Sequence, residues 1–450
     1  MSGIAGFAQP GKQDEVKQML ERLAHRGSST EIIETASATL GIVWPQHQSA
    51  AVKHLRQAQI AWDDAGDGHY ALAGGSTLTL KRDLLGVAPL YYGRNAEGTL
   101  CFASEVKGLL EVTRDVHELP PGYTFDGLRL EAYTRLERLP EMEESPERIA
   151  AELRRRLEAS VEKQAGSAPV GAWLSGGLDS SALAAFARRH FHPFHTFTAG
   201  LPGAPDVANA QIAADYICSE HHVIKVQLED LLNVLPEVIY HLESFDAWLV
   251  RSSILNYLVA RLSAGYVPAV FSGEGGDELF AGYEYLKTLN PECLVDELID
   301  LTTRLHNTAL QRVDRCASAH GIVAHTAFLD PDVVDYAMRI PAAYKLYQGV
   351  EKWILRQAVK DLLPELIVNR PKAKFWQGAG VEDLLAQHAD ERISAADFAR
   401  ERRLPNGWLL NSREELMYYR IFREHFGEFE DLGWMGRSKG SPVEETEGLE

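Results

Sequence analysis

Two glycine-rich runs hold the residues whose types and spacing are best suited to chemistry. The first, Leu174-Ser175-Gly176-Gly177-Leu178-Asp179-Ser180-Ser181, lies between an apolar, strand-like run and a helical one. Its two glycines let a backbone approach an anion with no Cβ in the way. Ser175 and Ser180 add hydroxyl donors, and a helix starting here aims its unpaired N–H groups and positive dipole end at the same place. The result is a phosphate cradle. It is not a Walker loop, since no G-K-[ST] follows, and not a dinucleotide fingerprint, since G-x-G-x-x-G is missing. Asp179 beside a phosphate is unfavourable unless a divalent cation lies between them. The second run, Ser272-Gly273-Glu274-Gly275-Gly276-Asp277-Glu278, follows apolar Val267 to Phe271 and so leaves the C-terminal end of a strand. Open α/β sheets bind ligands at that edge, where Asp277 can share Mg²⁺ with Asp179. Either run alone also reads as a glycine-rich turn; the pair together favours a site.

The elements that must position these loops follow from the patterning. Residues 1–135 read as short strands (IAGF, YALAGG, STLTLKRD, LYYGR, TLCFASE) with one helix, DEVKQMLERLAHRG, stopping at Gly27. This predicts a small α+β domain. After Pro140 a Ser-Pro start opens an amphipathic helix, and strands VGAWLSGG, HTFTAG, HHVIKV and PAVFSGEGG alternate with helices. That alternation predicts a parallel sheet with helices on both faces, becoming nearly all helical from Glu292. Residues 436–450, polar and rich in Gly, Pro and Glu, are expected to form a disordered tail.

Composition narrows the function. A chain of 450 residues implies two domains, and a formal charge of −19 argues against nucleic acid or an anionic membrane as the main partner. Cys101, Cys218, Cys293 and Cys316 show no metal or redox spacing, and no stretch of 18 apolar residues occurs. A soluble, cytoplasmic protein with reduced thiols is expected.

With these motifs in view, SGGLDSS resembles the pyrophosphate loop of the N-type ATP pyrophosphatases. The longer runs ESFDAWLVRSS, SGEGGDELFAGY, AFLDPDVVDYAMRIP, EKWILRQA and RPKAKFWQGAG resemble glutamine-hydrolysing asparagine synthetases of type B. The resemblance extends to SGIAGF, AHRG, RDLLGVAPLYYG and FASEVKGLL near the N-terminus. It implies a degenerate N-terminal-nucleophile-like α+β domain at 1–135. It also implies an α/β domain of the adenine nucleotide α-hydrolase type, with a helical C-terminal part, at 145–435. The implied reaction is adenylation of a carboxylate by ATP, releasing pyrophosphate, then displacement of AMP by ammonia or an amine. The implied ATP-binding residues are Leu174, Ser175, Gly176, Gly177, Asp179, Ser180, Ala199, Ser272 and Gly273, with Asp179 and Asp277 as magnesium ligands. Lys372 corresponds to a lysine that meets leaving pyrophosphate, Glu274 to the carboxylate that handles the amine proton, and Arg251 to a position concerned with acidic substrates. The family is often dimeric, so a homodimer is expected.

Three departures from the family pattern bear on function. The nucleophilic cysteine after the initiator Met is here Ser2, and no Asn-Gly-Glu or Gly-Ser-Asp run that would hold glutamine is found, although Arg26 and Gly27 survive. Loss of glutaminase activity is therefore expected. Trp248 and Leu249 stand where small hydroxyl residues are expected before Arg251, which puts aspartate as substrate in doubt. Val323 and His325 replace an acid and an arginine, which again suggests an altered substrate; a compensated surface pair is the plainer alternative. Lys352 and Arg356 read equally as phosphate partners or as a solvated, ion-paired helix face. Glu278 reads as a supporting group or helix cap, His221 and His222 as structural, and Trp408, Tyr418 and Tyr419 as core. The leading reading is an AMP-forming amide synthetase that does not hydrolyse glutamine. A β-lactam synthetase-like or amine-ligating enzyme is the second, and a catalytically silent partner of an active synthetase the third.

Overall fold

The computed structural model describes residues 2–45, 60–66, 69–74, 78–165, 168–372, 379 and 384–438. The N-terminal part builds two antiparallel sheets. One has six strands in the order β2 (Ser29–Glu34), β3 (Thr39–Trp44), β1 (Gly3–Phe7), β8 (Leu100–Ala103), β7 (Tyr91–Arg94), β9 (His117–Glu118). The other runs β11 (Leu130–Ala132), β10 (Tyr123–Phe125), β6 (Thr79–Arg82), β5 (His69–Gly74), β4 (Ile60–Gly66). Strand β1 is buried along its whole length because both its faces are covered. Ile4 joins Leu40, Ile42, Leu80 and Phe102 in one core. Ala5 and Phe7, on the opposite face by the two-residue period of a strand, pack with Val16, Met19 and Leu20 of the helix Gln13–Arg22. Strands β2, β3, β4 and β9 to β11 are additions to the strands read from the sequence.

The C-terminal part centres on five parallel strands in the order β14 (Glu220–Lys225), β13 (His195–Gly200), β12 (Val170–Trp173), β15 (Ala269–Phe271), β16 (Val323–His325). Strand order reverses at β12, so the loops after β12 and β15 leave the same sheet edge side by side. This is where open α/β sheets form a ligand crevice. Strand β16 corrects one expectation: Val323 is buried in it, and His325 accepts a hydrogen bond from Ser272 N through its carbonyl, at 2.9 Å. Neither substitution lines the crevice, so neither reports on the substrate there.

A short hairpin, Leu346–Tyr347 and Val350–Glu351, follows the helical turn Ala342–Lys345 and delivers Lys352 in the left-handed region, φ 55°. The buried Lys345 at its base carries a cost. Burial lowers its ammonium to about 7, with only partial compensation from Glu141. Between pH 7 and the ordinary lysine value the unfolded chain binds a proton that the native one does not, so this group makes stability rise with pH. Lys345→Met should therefore raise the melting temperature, with a larger gain at pH 6 than at pH 9. Equal gains at both would contradict a buried ammonium.

The start of the segment expected as a disordered tail, 436–438, is held in place. Ser438 donates from its backbone N and its Oγ to Asp246, at 3.0 and 2.7 Å, which anchors the segment up to that residue. Residues 439–450 lie outside the described residues. Among the described residues no helix is long and apolar enough to cross a membrane.

Candidate active site

The loop after β12 turns at Gly176, φ 67°, where a Cβ would fall 2.3 Å from the backbone of Asn209. Gly176 thus serves close packing against a neighbouring helix and does not line the crevice, unlike Ser175 and Gly177. The hydroxyls of Ser175 and Ser180 lie 3.0 Å apart, and Ser175 Oγ accepts from Gly177 N at 3.3 Å. The helix Leu178–Ala187 starts here, with Asp179 in its first turn. Leu174, Ala199 and Ser272 are buried beside it and line the same cavity, of about 580 Å³.

The loop after β15 reaches Asp179 because it has no side chains in the way. A Cβ on Gly276 would sit 2.6 Å from Asp179 Cγ, and one on Gly273 would sit 2.9 Å from Ser180 N. Asp277 thereby comes close to Asp179, and two lysines join them. Lys352 Nζ lies 2.5 Å from Asp179 Oδ2 and 2.6 Å from Asp277 Oδ1, and Lys372 Nζ lies 2.5 Å from Asp277 Oδ2. Burial raises the Asp179 carboxyl above its ordinary value, against the pull of Lys352. For Asp277 the same burial is outweighed by the two lysines, which hold it below the usual range. Desolvation within the cluster would lower Lys372, whose side chain is still 30% exposed, but Asp277 and Asp179 keep it above an ordinary lysine.

Of the two readings the sequence left open for Lys352, a phosphate partner or a solvated helix face, the second fails: the residue is only 2% exposed and central to the cluster. Arg356 is a positioning residue. It donates to Glu351 at 2.6 Å and to the carbonyl of Arg370 at 3.2 Å, fixing the strap that carries Lys372. Arg370 in turn donates to the carbonyl of Ser175 at 3.2 Å and pairs with Asp206.

In the same cavity Glu274 pairs with Arg312 at 2.6 Å. Glu278, expected as a supporting group or cap, is buried and accepts from the Tyr283 hydroxyl; burial and the nearby Asp277 push its carboxyl up to about 7. Trp248, Leu249, Leu301 and Leu305 also line the cavity. Arg251 does not. Its guanidinium forms a fork with buried Glu414, which also accepts from Tyr418 at 2.6 Å, so the helix turns this arginine away from the cavity.

Ser2 is buried, and its carbonyl accepts from Arg26 at 3.3 Å. Arg26 belongs to a buried cluster that joins the two parts of the chain. It pairs with Glu105 and with Asp314 (2.5 Å), while Arg315 contacts Glu105, Glu243 and Asp314 at 3.1–3.3 Å. Lys107 contacts Glu105 and, at 3.1 Å, Glu243. Three cations thus face three carboxylates. Burial of Glu105 is outweighed by Arg26 and its neighbours, which hold it well below the usual carboxylate range. Burial and nearby Lys107 lower His241 to about 2, so that its ring is neutral.

Residues 152–296 and 290–442 match the family model for asparagine synthase. The chain belongs to the asparagine synthase family. Residues 63–121 match the glutamine amidotransferase domain model, so the architecture joins a glutaminase-like domain to an asparagine synthase domain. Asparagine synthetase B [glutamine-hydrolyzing] of Escherichia coli K12 is 34% identical over 374 residues, 77% of this chain and 67% of that protein. Asparagine synthetase [glutamine-hydrolyzing] 2 of Arabidopsis thaliana is 33% identical over 375 residues, 77% of this chain and 64% of that protein. The chain thus spans about two thirds of the length of the curated relatives it matches. A solved NMN synthetase from Francisella tularensis covers 64% of this chain, and 98% of its own, at 14% identity and a TM-score of 0.29, too slight a likeness to bear on the fold.

Proposed function

We propose that the protein is an ATP-dependent, AMP-forming carbon–nitrogen ligase that joins a carboxylate to ammonia or an amine and does not hydrolyse glutamine. The observation that carries this reading is the meeting of Asp179, Asp277, Lys352 and Lys372 at the ends of β12 and β15, beside a phosphate-binding helix start. In this reading the chain comprises a degenerate N-terminal-nucleophile-like unit, 1–135, and an α-hydrolase-like unit, 145–435. It works in the cytoplasm, as a homodimer.

The helix N–H groups and the Ser175 and Ser180 hydroxyls hold the triphosphate, while Leu174, Ala199, Ser272 and Gly273 surround the nucleoside. Asp179 and Asp277 are hard oxygen donors suited to Mg²⁺. The fit is supported by Asp179 Oδ1, which is buried without a hydrogen-bond partner among the described residues. When bound, Mg²⁺ supplies charge neutralisation to the phosphates. Lys352 and Lys372 exchange their aspartate contacts for the developing charge on departing pyrophosphate, a role for preorganised cations. Glu274, oriented by Arg312, receives the proton of the attacking amine.

Two features favour an acid other than aspartate. Arg251 is committed to Glu414, and Trp248, Leu249, Leu301 and Leu305 bring apolar side chains to a cavity lining that also carries Arg304, Thr308 and Arg312. Retention of the full charge cluster argues against a catalytically silent partner. Ser2→Ala should leave ammonia-dependent AMP formation within about twofold of wild type, and wild type should release no glutamate from glutamine. A large loss in Ser2→Ala would restore a nucleophilic role to that serine.

A further inference from the structure

A second cluster lies at the opposite end of the parallel sheet. His195 and Glu220 begin β13 and β14, whereas the nucleotide loops leave the C-terminal ends of β12 and β15. Parallel register pairs His195 with Glu220 and Phe197 with His222. The two-residue period then places His195, Glu220 and His222 on one face, and Thr196 and His221 on the other. Thr196 Oγ1 indeed contacts His221 Nδ1, at 2.9 Å.

On the first face His195 Nδ1 lies 3.1 Å from His222 Nε2 and 3.5 Å from Glu220 Oε2. The three ligand atoms all fall within 4.8 Å of one another. Tetrahedral Zn²⁺ with bonds of 2.0–2.1 Å separates its ligand atoms by about 3.3 Å. The two shorter separations match that spacing with no ion present. A lone histidine–histidine hydrogen bond accounts for one of them but not for the approach of the carboxylate.

The rings are also held in place. Phe197 stacks on His222 with centroids 5.2 Å apart, and Tyr266 lies 4.1 Å from His222 and 5.4 Å from His195. Aromatic walls that fix imidazole planes reduce the cost of organising a metal site.

We propose that His195, Glu220 and His222 bind a zinc-class divalent cation, with a fourth position open to water. Two imidazoles and one carboxylate suit Zn²⁺, Co²⁺ and Ni²⁺ and discriminate against Mg²⁺ and Ca²⁺. Glu220 is 60% exposed, so the site is reached from solvent without opening the fold. The bound ion ties edge strand β14 to β13.

The test uses the full chain with Cys218→Ser and Cys293→Ser, which removes the exposed thiols. The protein is stripped with chelator and kept in excess Mg²⁺, then titrated with Zn²⁺ by calorimetry and with Co²⁺ by visible absorption. One equivalent should bind with micromolar or tighter affinity and raise the melting temperature. His195→Ala and His222→Ala should each weaken binding at least about tenfold and remove the thermal shift. Glu220→Gln, a change at an exposed side chain that leaves the fold intact, should also weaken binding and alter the Co²⁺ spectrum. Absence of stoichiometric Zn²⁺ binding overturns the proposal, as does equal binding by wild type and the His195→Ala/His222→Ala double variant.

Discussion

Asp179→Asn and Lys352→Met should each lower ATP-dependent AMP release by at least about a thousandfold, while leaving the chain folded. Asp179 is the acid that Gly276 and Gly273 allow the second loop to approach, and its Oδ1 has no hydrogen-bond partner among the described residues. Amide replacement removes the anionic oxygen a divalent cation needs and leaves two lysines facing one carboxylate. Lys352 touches both acids, so its loss removes a cation from the path of departing pyrophosphate and leaves two neighbouring buried carboxylates less compensated. The check is single-turnover AMP formation by chromatography, with circular dichroism to confirm folding. Activity within tenfold of wild type in either variant would mean that the charge cluster is structural.

The second large effect concerns stability. Arg26→Met should cost about 3–5 kcal/mol, because Glu105 and Asp314 would stay buried at the junction of the two parts without their main cation. Replacing Asp314 by leucine in the same chain should recover part of that loss, since both partners of one pair are then gone. Denaturant titration reads both variants. A loss below about 1 kcal/mol for Arg26→Met would show that Lys107 and Arg315 suffice. This cluster explains why the N-terminal part keeps Arg26 although a glutamine site is not expected around Ser2.

What was legible in the sequence was chemistry carried within one loop. Anion binding at a helix start needs glycine and hydroxyl residues in immediate succession, so SGGLDSS and SGEGGDE announced themselves, as did the parallel order of the strands between them. Contacts formed by distant segments were not legible. Lys352 enters the site on a two-stranded hairpin and a left-handed turn, 173 residues after Asp179. Arg251 is drawn away by Glu414, which lies 163 residues downstream, so its place in the motif could not show its orientation. Val323 and His325 belong to a three-residue edge strand too short for its period to show. His195, Glu220 and His222 have no ligand spacing along the chain, because a helix and the register of two parallel strands bring them together. Gly176 was read correctly as loop glycine, but its role is to admit the backbone of Asn209.

The most direct measurement is AMP release from ATP and Mg²⁺ by purified protein, with aspartate and a panel of apolar and polar carboxylic acids. Each acid is supplied with ammonia, with glutamine, or with no added nitrogen source. AMP should form in stoichiometry with pyrophosphate, with at least one acid, and glutamine should not replace ammonia or a substrate amine. ADP and phosphate as products, or no AMP with any acid from a protein that binds Mg²⁺ and ATP, would contradict the ligase reading.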